Sequence, residues 1–391
     1  MSASPRSVLV VGASLAGVET VRALRTEGFD GAITVLGEEP HAPYDRPPLS
    51  KGFLDGTLGL EQVALDMPVD GVVLRTGTRA VRLVPETREV LTSAGERLRA
   101  DAVVVATGAR ARRLDSPFGP EQGVHVLRSL RDAHALRADL VAGSRLVVVG
   151  GGFIGTEVAA TAAGLGLDVT IVETQPVLLE QQLGPLLSGV LTVHHERHGV
   201  GIVTGSAVGE LQGSTRVSGV RLLDGRVLPA DVVLVGVGSR PNVEWLADSG
   251  LPVADGVLCD DSGLVRAGVV AVGDCSAWRD ADGAHRRRQH WTAALRQAGV
   301  AARTLLGLPS SEQSVDLDYV WSDQYGLRLQ VLGRPAAHLR CEVAGDPSGE
   351  SFTATFHDDE AGGVIRAVAS VSDPRGFGRA RRSVGKVPST A

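Results

Sequence analysis

Short valine-rich runs recur along this chain, and the residues after each run set how it folds. VLVV at 8–11 and VVV at 147–149 are apolar at every position; each leads into a glycine cluster, GASLAG in the first case and GGGFIG in the second. A brief run that is apolar throughout predicts a strand buried on both faces, and the glycines predict a tight turn into a helix whose first N–H groups point outward. Strand, glycine turn and helix together make a cradle for a pyrophosphate. Elsewhere the pattern differs. WTAALRQAGVAARTLLG has apolar positions three and four apart and predicts a helix. From about Val315 the pieces RLQVLG, RCEVAG, SFTATFH and GVIRAVASV are short, often alternating, and separated by Gly, Pro and Asp, which predicts a small antiparallel sheet.

The repetition extends beyond the glycine turns. GERLRADAVVVATGAR from Gly95 and GRVLPADVVLVGVGSR from Gly225 share G-x-x-L-x-A-D, a valine-rich run, a glycine and an arginine. Gly12 to Asp101 and Gly150 to Asp231 therefore enclose two copies of one nucleotide-binding module. A further strand, in LVRAGVVAVGDCSAW, comes after the second module and has no equivalent after the first. The first domain thus resumes around an inserted second one. The expected organisation is α/β with two Rossmann-like dinucleotide-binding domains. Residues 1–110 and 236–314 form the first of these domains, 111–235 the inserted second, and 315–391 a small α+β C-terminal interface domain.

Composition narrows the class. At 391 residues, with 43% hydrophobic and 21% charged positions, the chain has globular composition, and a net charge of −6 disfavours a nucleic-acid protein. Cys259, Cys275 and Cys341 lie far apart with no C-x-x-C, so no disulfide framework or metal site is expected. No apolar run of about 20 residues exists to span a bilayer. A cytoplasmic protein without nucleic-acid or membrane partners is expected.

Each module carries an acid after its second strand, Glu38 in AITVLGEE and Glu173 in LDVTIVET, placed to accept ribose hydroxyls. Thr174, Gln175 and Pro176 come after Glu173 where an NADP site provides arginine, so NAD is favoured over NADP. The register of Glu38 is the less clear of the two. The loop APYDRPPLSKGFL at 42–54 is stiffened by proline and made cationic by Arg46 and Lys51; Lys51 and Lys386 are the only lysines in the chain.

Taken together, GASLAG, PYDRPPLSK, ATGAR, GGGFIGTE, VGVGSRPN, AVGDCS and YVWSDQYGLRLQ resemble, in order and over nearly the whole chain, the FAD-dependent NADH:ferredoxin reductases of the putidaredoxin-reductase-like family. The resemblance implies FAD contacts at Gly12, Ser14, Leu15, Ala16, Gly17, Glu38, Arg46, Lys51, Val81, Ala106, Thr107, Gly108, Arg128, Gly273, Asp274 and Trp291. It implies NAD contacts at Gly150, Gly152, Phe153, Ile154, Gly155, Glu157, Glu173 and Gly238. Lys51 and Glu157 are implied to pair near flavin N5, and Trp321 to stand at the exposed flavin edge where the electron acceptor docks. The implied partner is an iron–sulfur ferredoxin of the 2Fe-2S or 3Fe-4S type that supplies an oxygenase, and the chain is expected to be a monomer or weak homodimer.

The chain departs from the family at Ser14, a middle fingerprint position, and at Gly326, where YFWSDQYD has aspartate. Val177 and Gln181 stand where arginines often come after the ribose acid. Disulfide reductases and NADH peroxidases are disfavoured because no cysteine precedes Cys259. A redox-sensing interaction protein similar to apoptosis-inducing factor would bind the same two cofactors. Arg286, Arg287, Arg288, Arg296 and Arg303, in a stretch without acids, are a candidate dock for an acidic ferredoxin; the stretch around Arg379, Arg381 and Arg382 is the next candidate.

Overall fold

A computed structural model of the chain describes residues 4–68, 70–309, 318–348 and 350–387. The chain forms two compact units, one from Met1–Asp45, Leu60–Arg110 and Ser239–Ser314, the other from Arg46–Gly59, Ala111–Gly238 and Val315–Ala391. The boundary expected at 314 lies outside the described residues. The first unit opens with β1 (Ser7–Val11), α1 (Leu15–Thr26), β2 (Ala32–Leu36), β3 (Val72–Arg75) and β4 (Ala102–Val105). The second then takes β5 (Val124–His125), β6 (Arg145–Val149), α2 (Phe153–Gly164), β7 (Asp168–Val172), α3 (Glu180–Arg197), β8 (Gly201–Val203) and β9 (Val232–Val235). The chain returns to the first unit for β10 (Leu264–Arg266), β11 (Val269–Ala271) and α4 (Trp291–Leu306). It ends in the second with β12 (Tyr319–Gln324), β13 (Leu327–Gly333), β14 (Arg340–Gly345), β15 (Phe352–Asp358), β16 (Val364–Val371) and α5 (Pro374–Ala380).

In the first unit the sheet order is β10-β11-β4-β1-β2-β3. Val8 stands opposite both Ile33 and Ala102 in parallel register, and only β10 runs antiparallel. Val8, Val10, Val103, Val104 and Val270 are each at most 1% exposed, as parallel strands covered on both faces require. On one side α1 buries Val18, Val21 and Leu24, and α4 packs on α1 with a face of small residues, Ala294, Ala298, Ala301 and Ala302. Small side chains at that spacing let the two helices approach closely.

The second unit repeats the scheme as β8-β7-β6-β9-β5, parallel throughout. Place for place, the β11 position of the first sheet is filled here by β5, which precedes the second fingerprint rather than coming after the module. The late valine strand of the first unit therefore does have a counterpart, reached from the other direction along the chain. The repeated A-D pair also has a structural job: Asp101 accepts the N–H of Arg6 at 2.9 Å and Asp231 that of Arg145 at 3.0 Å, so each ties down the start of the strand that leads into its unit's glycine turn.

The C-terminal part is an antiparallel sheet, β12-β13-β16-β15-β14. One face shares a core with α3, where Leu183, Leu187 and Leu191 meet Leu329, Val331, Phe352 and Ala369. Each such leucine is worth roughly 1.5–3 kcal/mol on full burial. Helix α3 bends at Gly184 (φ 72°) before Pro185; a Cβ there would lie 2.3 Å from the Pro335 carbonyl oxygen, so only glycine fits the bend. Among the described residues no helix is long and apolar enough to cross a membrane.

Candidate functional site

The first fingerprint lies at the C-terminal ends of β1, β4 and β11, where open parallel sheets bind ligands. Gly12 adopts φ +124°, and a Cβ there would fall 2.0 Å from the Ala106 carbonyl oxygen; a Cβ on Gly17 would fall 1.9 Å from that of Gly12. Side chains are thus forbidden at both positions. Ser14 is the extended residue before α1, and Leu15 and Ala16 open its first turn. Gly273 brings its backbone against Ala16, with its N–H held at 2.8 Å by the side-chain oxygen of Gln297, which is buried. Thr107 and Asn242 exchange hydrogen bonds of 2.7 and 3.0 Å, while the side-chain direction of Gly108 is open space. Trp291 starts α4 and donates to Asp45 at 3.0 Å, and Asp274 succeeds Gly273 in the same turn. A pyrophosphate fits this cradle of close-packed glycines around a helix start.

Two other implied flavin contacts sit differently. Glu38 is exposed, 3.6 Å from Arg79, and stands one residue beyond the position that Glu173 occupies in the second unit. Gly12 N–H bonds Leu36 O and Gly150 N–H bonds Val172 O, which aligns Glu173 with Gly37. A Cβ on Gly37 would meet the Ala13 methyl at 2.8 Å, which explains why the acid is shifted. Val81 lies at a register irregularity between Ala80 and Arg82 in a separate small sheet and is exposed; none of the strand partners beside it belongs to the fingerprint.

In the second cradle, Gly150 (φ +107°) and Gly155 are held by the same collisions, against Gly236 O at 2.5 Å and Gly150 O at 2.0 Å. The space beside Gly152 is open, and Phe153 and Ile154 begin α2, Phe153 leaning on the C-terminal core and Ile154 exposed. Gly238 (φ +95°) accepts the Arg112 N–H through its carbonyl at 2.9 Å. Glu173 is fixed by the N–H groups of Gly151 at 2.6 Å and Gln175 at 2.9 Å and by the Thr174 hydroxyl. Burial pushes its carboxyl up, but these donors outweigh it and hold the group below the usual carboxylate range. A fixed anion at this place suits a ribose diol and repels a 2′-phosphate.

The segment Arg46–Gly59 packs within this second unit. Arg46 donates to Arg128 O at 3.1 Å, and the Ser50 carbonyl receives the Thr161 hydroxyl at 2.8 Å. Lys51 Nζ lies 2.5 Å from Glu157 Oε2, which also accepts Ser50 Oγ at 2.6 Å; Glu157 Oε1 accepts Ser322 Oγ at 2.7 Å. Ser322 in turn accepts from Gln324 at 2.9 Å. Lys51 and Glu157 were legible in the sequence, whereas Ser50, Ser322 and Gln324 emerge only from the fold. The available signal was alternation in YVWSDQYG, which turns Ser322 and Gln324 to one face of β12 and Trp321 to the other. Trp321 is half-buried and stacks on Tyr319, ring centres 5.9 Å apart.

The arginine-rich stretch is less positive than its sequence suggests, because the acids come from elsewhere. Arg286 pairs with Asp280 and Asp282, Arg287 with Asp255, Arg288 with Asp280, and Arg303 with Glu27. Arg375, Arg379, Arg381 and Arg382, by contrast, are exposed and have no ion pair among the described residues. Cys259 and Cys275 are buried, with their thiols pushed up by burial and aimed at backbone carbonyls, and Cys341 lies exposed on β14.

Two dinucleotide cradles with a lysine–glutamate pair on the second define a flavoprotein oxidoreductase of the two-dinucleotide class. The chain belongs to the pyridine nucleotide-disulphide oxidoreductase family, whose model matches residues 6–298, and it carries a reductase C-terminal domain over residues 319–389. It is 37% identical over 384 residues to the ferredoxin reductase component of chlorobenzene dioxygenase from Cupriavidus sp. (strain PS12), covering 96% of this chain and 92% of that protein. It is equally 37% identical over 384 residues to the ferredoxin–NAD(+) reductase component of the p-cumate 2,3-dioxygenase system of Pseudomonas putida, with 96% and 92% covered. Its fold matches the reductase in the crystal structure of the covalent putidaredoxin reductase–putidaredoxin complex with a TM-score of 0.90 and 32% identity, over 98% of this chain and 94% of that one. The chain uses FAD and NAD(H).

Proposed function

We propose that this enzyme oxidises NADH and delivers the electrons, one at a time, to an iron–sulfur ferredoxin that serves an oxygenase. The observation that carries the reading is the pairing of two complete nucleotide cradles with cysteines that are either buried against carbonyls or remote on an edge strand. With no cysteine pair to reduce, electrons leave for an external acceptor. The relatives' names supply the acceptor class, since they are ferredoxin reductase components of oxygenase systems.

Gly12, Ser14, Leu15, Ala16, Gly17, Ala106, Thr107, Gly108, Gly273 and Asp274 would hold FAD, with Glu38 taking its adenosine ribose and Trp291 closing one side. Arg46, Lys51 and Arg128 would contact it from the loop and the strand end that carry them. Gly150, Gly152, Phe153, Ile154, Gly155, Glu173 and Gly238 would hold NADH. When bound, the flavin accepts a hydride and returns two electrons singly, which is chemistry that the protein's own side chains lack. Glu157 and Lys51 orient the nicotinamide and offset the charge that moves with the hydride. The balance per turnover is one NADH consumed, two ferredoxins reduced and one proton released. Trp321, presented by β12 opposite Ser322, would mark the acceptor side.

The purified yellow protein, offered NADH and a panel of ferredoxins, should reduce at least one at two equivalents per NADH. Reduction of ferricyanide with no ferredoxin reduced would overturn the acceptor assignment. For the dock, we favour the unpaired arginines of α5 and the turn after it. Changing Arg375, Arg379, Arg381 and Arg382 to Gln should raise the apparent KM for ferredoxin at low salt about tenfold, leaving NADH-to-ferricyanide turnover intact. The same treatment of Arg286, Arg287 and Arg288 should have less effect. The reverse ranking would return the dock to the arginine-rich loop.

A further inference from the structure

Glu157 is 5% exposed; its carboxylate takes hydrogen bonds from Ser50 and Ser322 and pairs with the Lys51 ammonium, Ser322 being the farthest of the three along the chain, 165 residues away. Ser322 is fully buried. Its oxygen receives one hydrogen of the Gln324 amide at 2.9 Å, and that same amide nitrogen reaches Thr156 Oγ1 at 3.0 Å. Because a carboxylate only accepts, the Ser322 hydroxyl hydrogen is committed to Glu157 while its oxygen takes that of Gln324. The result is a directed chain, amide to hydroxyl to carboxylate, whose far end is anchored beside Glu157 on α2 itself.

The hairpin that carries this arm is held under strain. Tyr325 and Gly326 form its two-residue turn with φ of 54° and 77°, and Gln324 faces Leu327 across it. Left-handed backbone suits glycine, whereas a tyrosine there is costly and persists only where its surroundings over-determine it. Here the phenol oxygen lies 2.5 Å from His195 Nδ1 and the ring stacks on His198, centres 4.0 Å apart at 16°. Burial pushes the His195 imidazole down to about 4, so at neutral pH Nδ1 is free to accept the phenol hydrogen. Both histidines lie at the C-terminal end of α3, so the tip of the hairpin is clasped while its strand delivers Ser322.

We propose that Ser322, backed by Gln324, is a positioning residue for hydride transfer: it fixes the Glu157 carboxylate and, through it, the Lys51 ammonium. The inference rests on the proposed role of the Lys51–Glu157 pair. It goes beyond that role by assigning the pair's geometry to the C-terminal hairpin.

The test uses the holoenzyme. Stopped-flow bleaching of the flavin by NADH should slow about tenfold in Ser322→Ala, the loss of one hydrogen bond to a charged group, with NADH affinity within about twofold of wild type. Ser322→Thr, which keeps the hydroxyl, should recover most of the rate. A second readout does not depend on turnover. Since Lys51 and Lys386 are the only lysines, protein labelled with ¹³Cε-lysine gives two side-chain signals. Ser322→Ala should move the Lys51 signal and leave Lys386 in place. Wild-type bleaching in Ser322→Ala overturns the proposal, and so does slow bleaching with an unmoved Lys51 signal. Lys51→Met separates the two levels of argument. If it slows bleaching and Ser322→Ala does not, only the positioning role fails; if it bleaches at the wild-type rate, the assignment of the pair itself falls.

Discussion

The two nucleotide units keep the same turn and spend the same helix position differently. Their glycines meet nearly identical obstacles, 2.0 and 2.5 Å for the first of each fingerprint and 1.9 and 2.0 Å for the last. Two residues past that last glycine both helices carry glutamate. In the first unit Glu19 pairs with Arg22 on its own helix at 2.5 Å. In the second the equivalent Glu157 ignores its helix and gathers Lys51, Ser50 and Ser322. The strand-end position differs too, glycine at 37 against glutamate at 173, because Ala13 occupies in the first unit the space that Gly151 leaves open to the carboxylate in the second. Backbone demands are therefore shared between the copies, whereas a buried glutamate that gathers side chains from distant segments belongs to one copy only, the one proposed to hold the exchanging nucleotide. A tightly held cofactor and an exchanging one call for that asymmetry.

The comparison breaks most visibly at the last fingerprint glycine. Gly17→Val should yield protein without yellow colour, while Gly155→Val should stay yellow and lose NADH affinity by roughly tenfold to a hundredfold, since the added methyls must displace backbone. The absorption spectrum and an NADH titration of each variant check this; a colourless Gly155→Val, or one with wild-type NADH affinity, would undo the assignment of cradle to cofactor.

A smaller effect is expected at the strand end. Glu173→Arg should shift the NADH/NADPH preference by about tenfold or more toward NADPH. Because its carboxyl is held below the usual carboxylate range, Glu173 should stay charged from about pH 5 to 8, so that the wild-type preference for NADH sharpens only with the second ionisation of the 2′-phosphate, near about pH 6. A preference ratio unmoved by the substitution would take Glu173 out of the ribose site.

The smallest effect concerns the repeated aspartates. Asp231, paired to Arg145 at 2.7 Å, is pulled down to about 2 by that guanidinium from an ordinary 3.8, so its contribution to stability is present above the ordinary value and disappears as pH falls toward 2. The pair is more than two-fifths exposed, so solvent screens it and its contribution is small. Asp231→Asn should therefore melt slightly below wild type at pH 7, with the gap closing between about pH 4 and 2. A gap that is constant with pH would mean that the hydrogen bonds matter and the charge does not.

Much of this was legible in the sequence for a physical reason. Fingerprint glycines and buried valine runs answer to local backbone geometry, so they announce strand, turn and helix without knowledge of distant partners. Glu173 and the Lys51–Glu157 pair came from position and resemblance. The hidden features depend on residues far apart in the chain. The acids that neutralise Arg286, Arg287 and Arg303 are Asp280, Asp282, Asp255 and Glu27, and only the folded chain brings the last of these within 2.6 Å of Arg303. The shift of Glu38 against Glu173 comes from one methyl group on Ala13. Strand β5 is two residues long, too short for periodicity to register.

The shared core under the C-terminal sheet bears on how such reductases can be recombined. A graft made at the sequence boundary, exchanging only residues 319–387, would set foreign side chains against Leu183, Leu187 and Leu191 and a foreign loop against the Gly184 bend, which packs on Pro335. The transplantable module is the sheet together with α3. Chimeras built to redirect electrons to a new acceptor should carry residues 179–197 along with it.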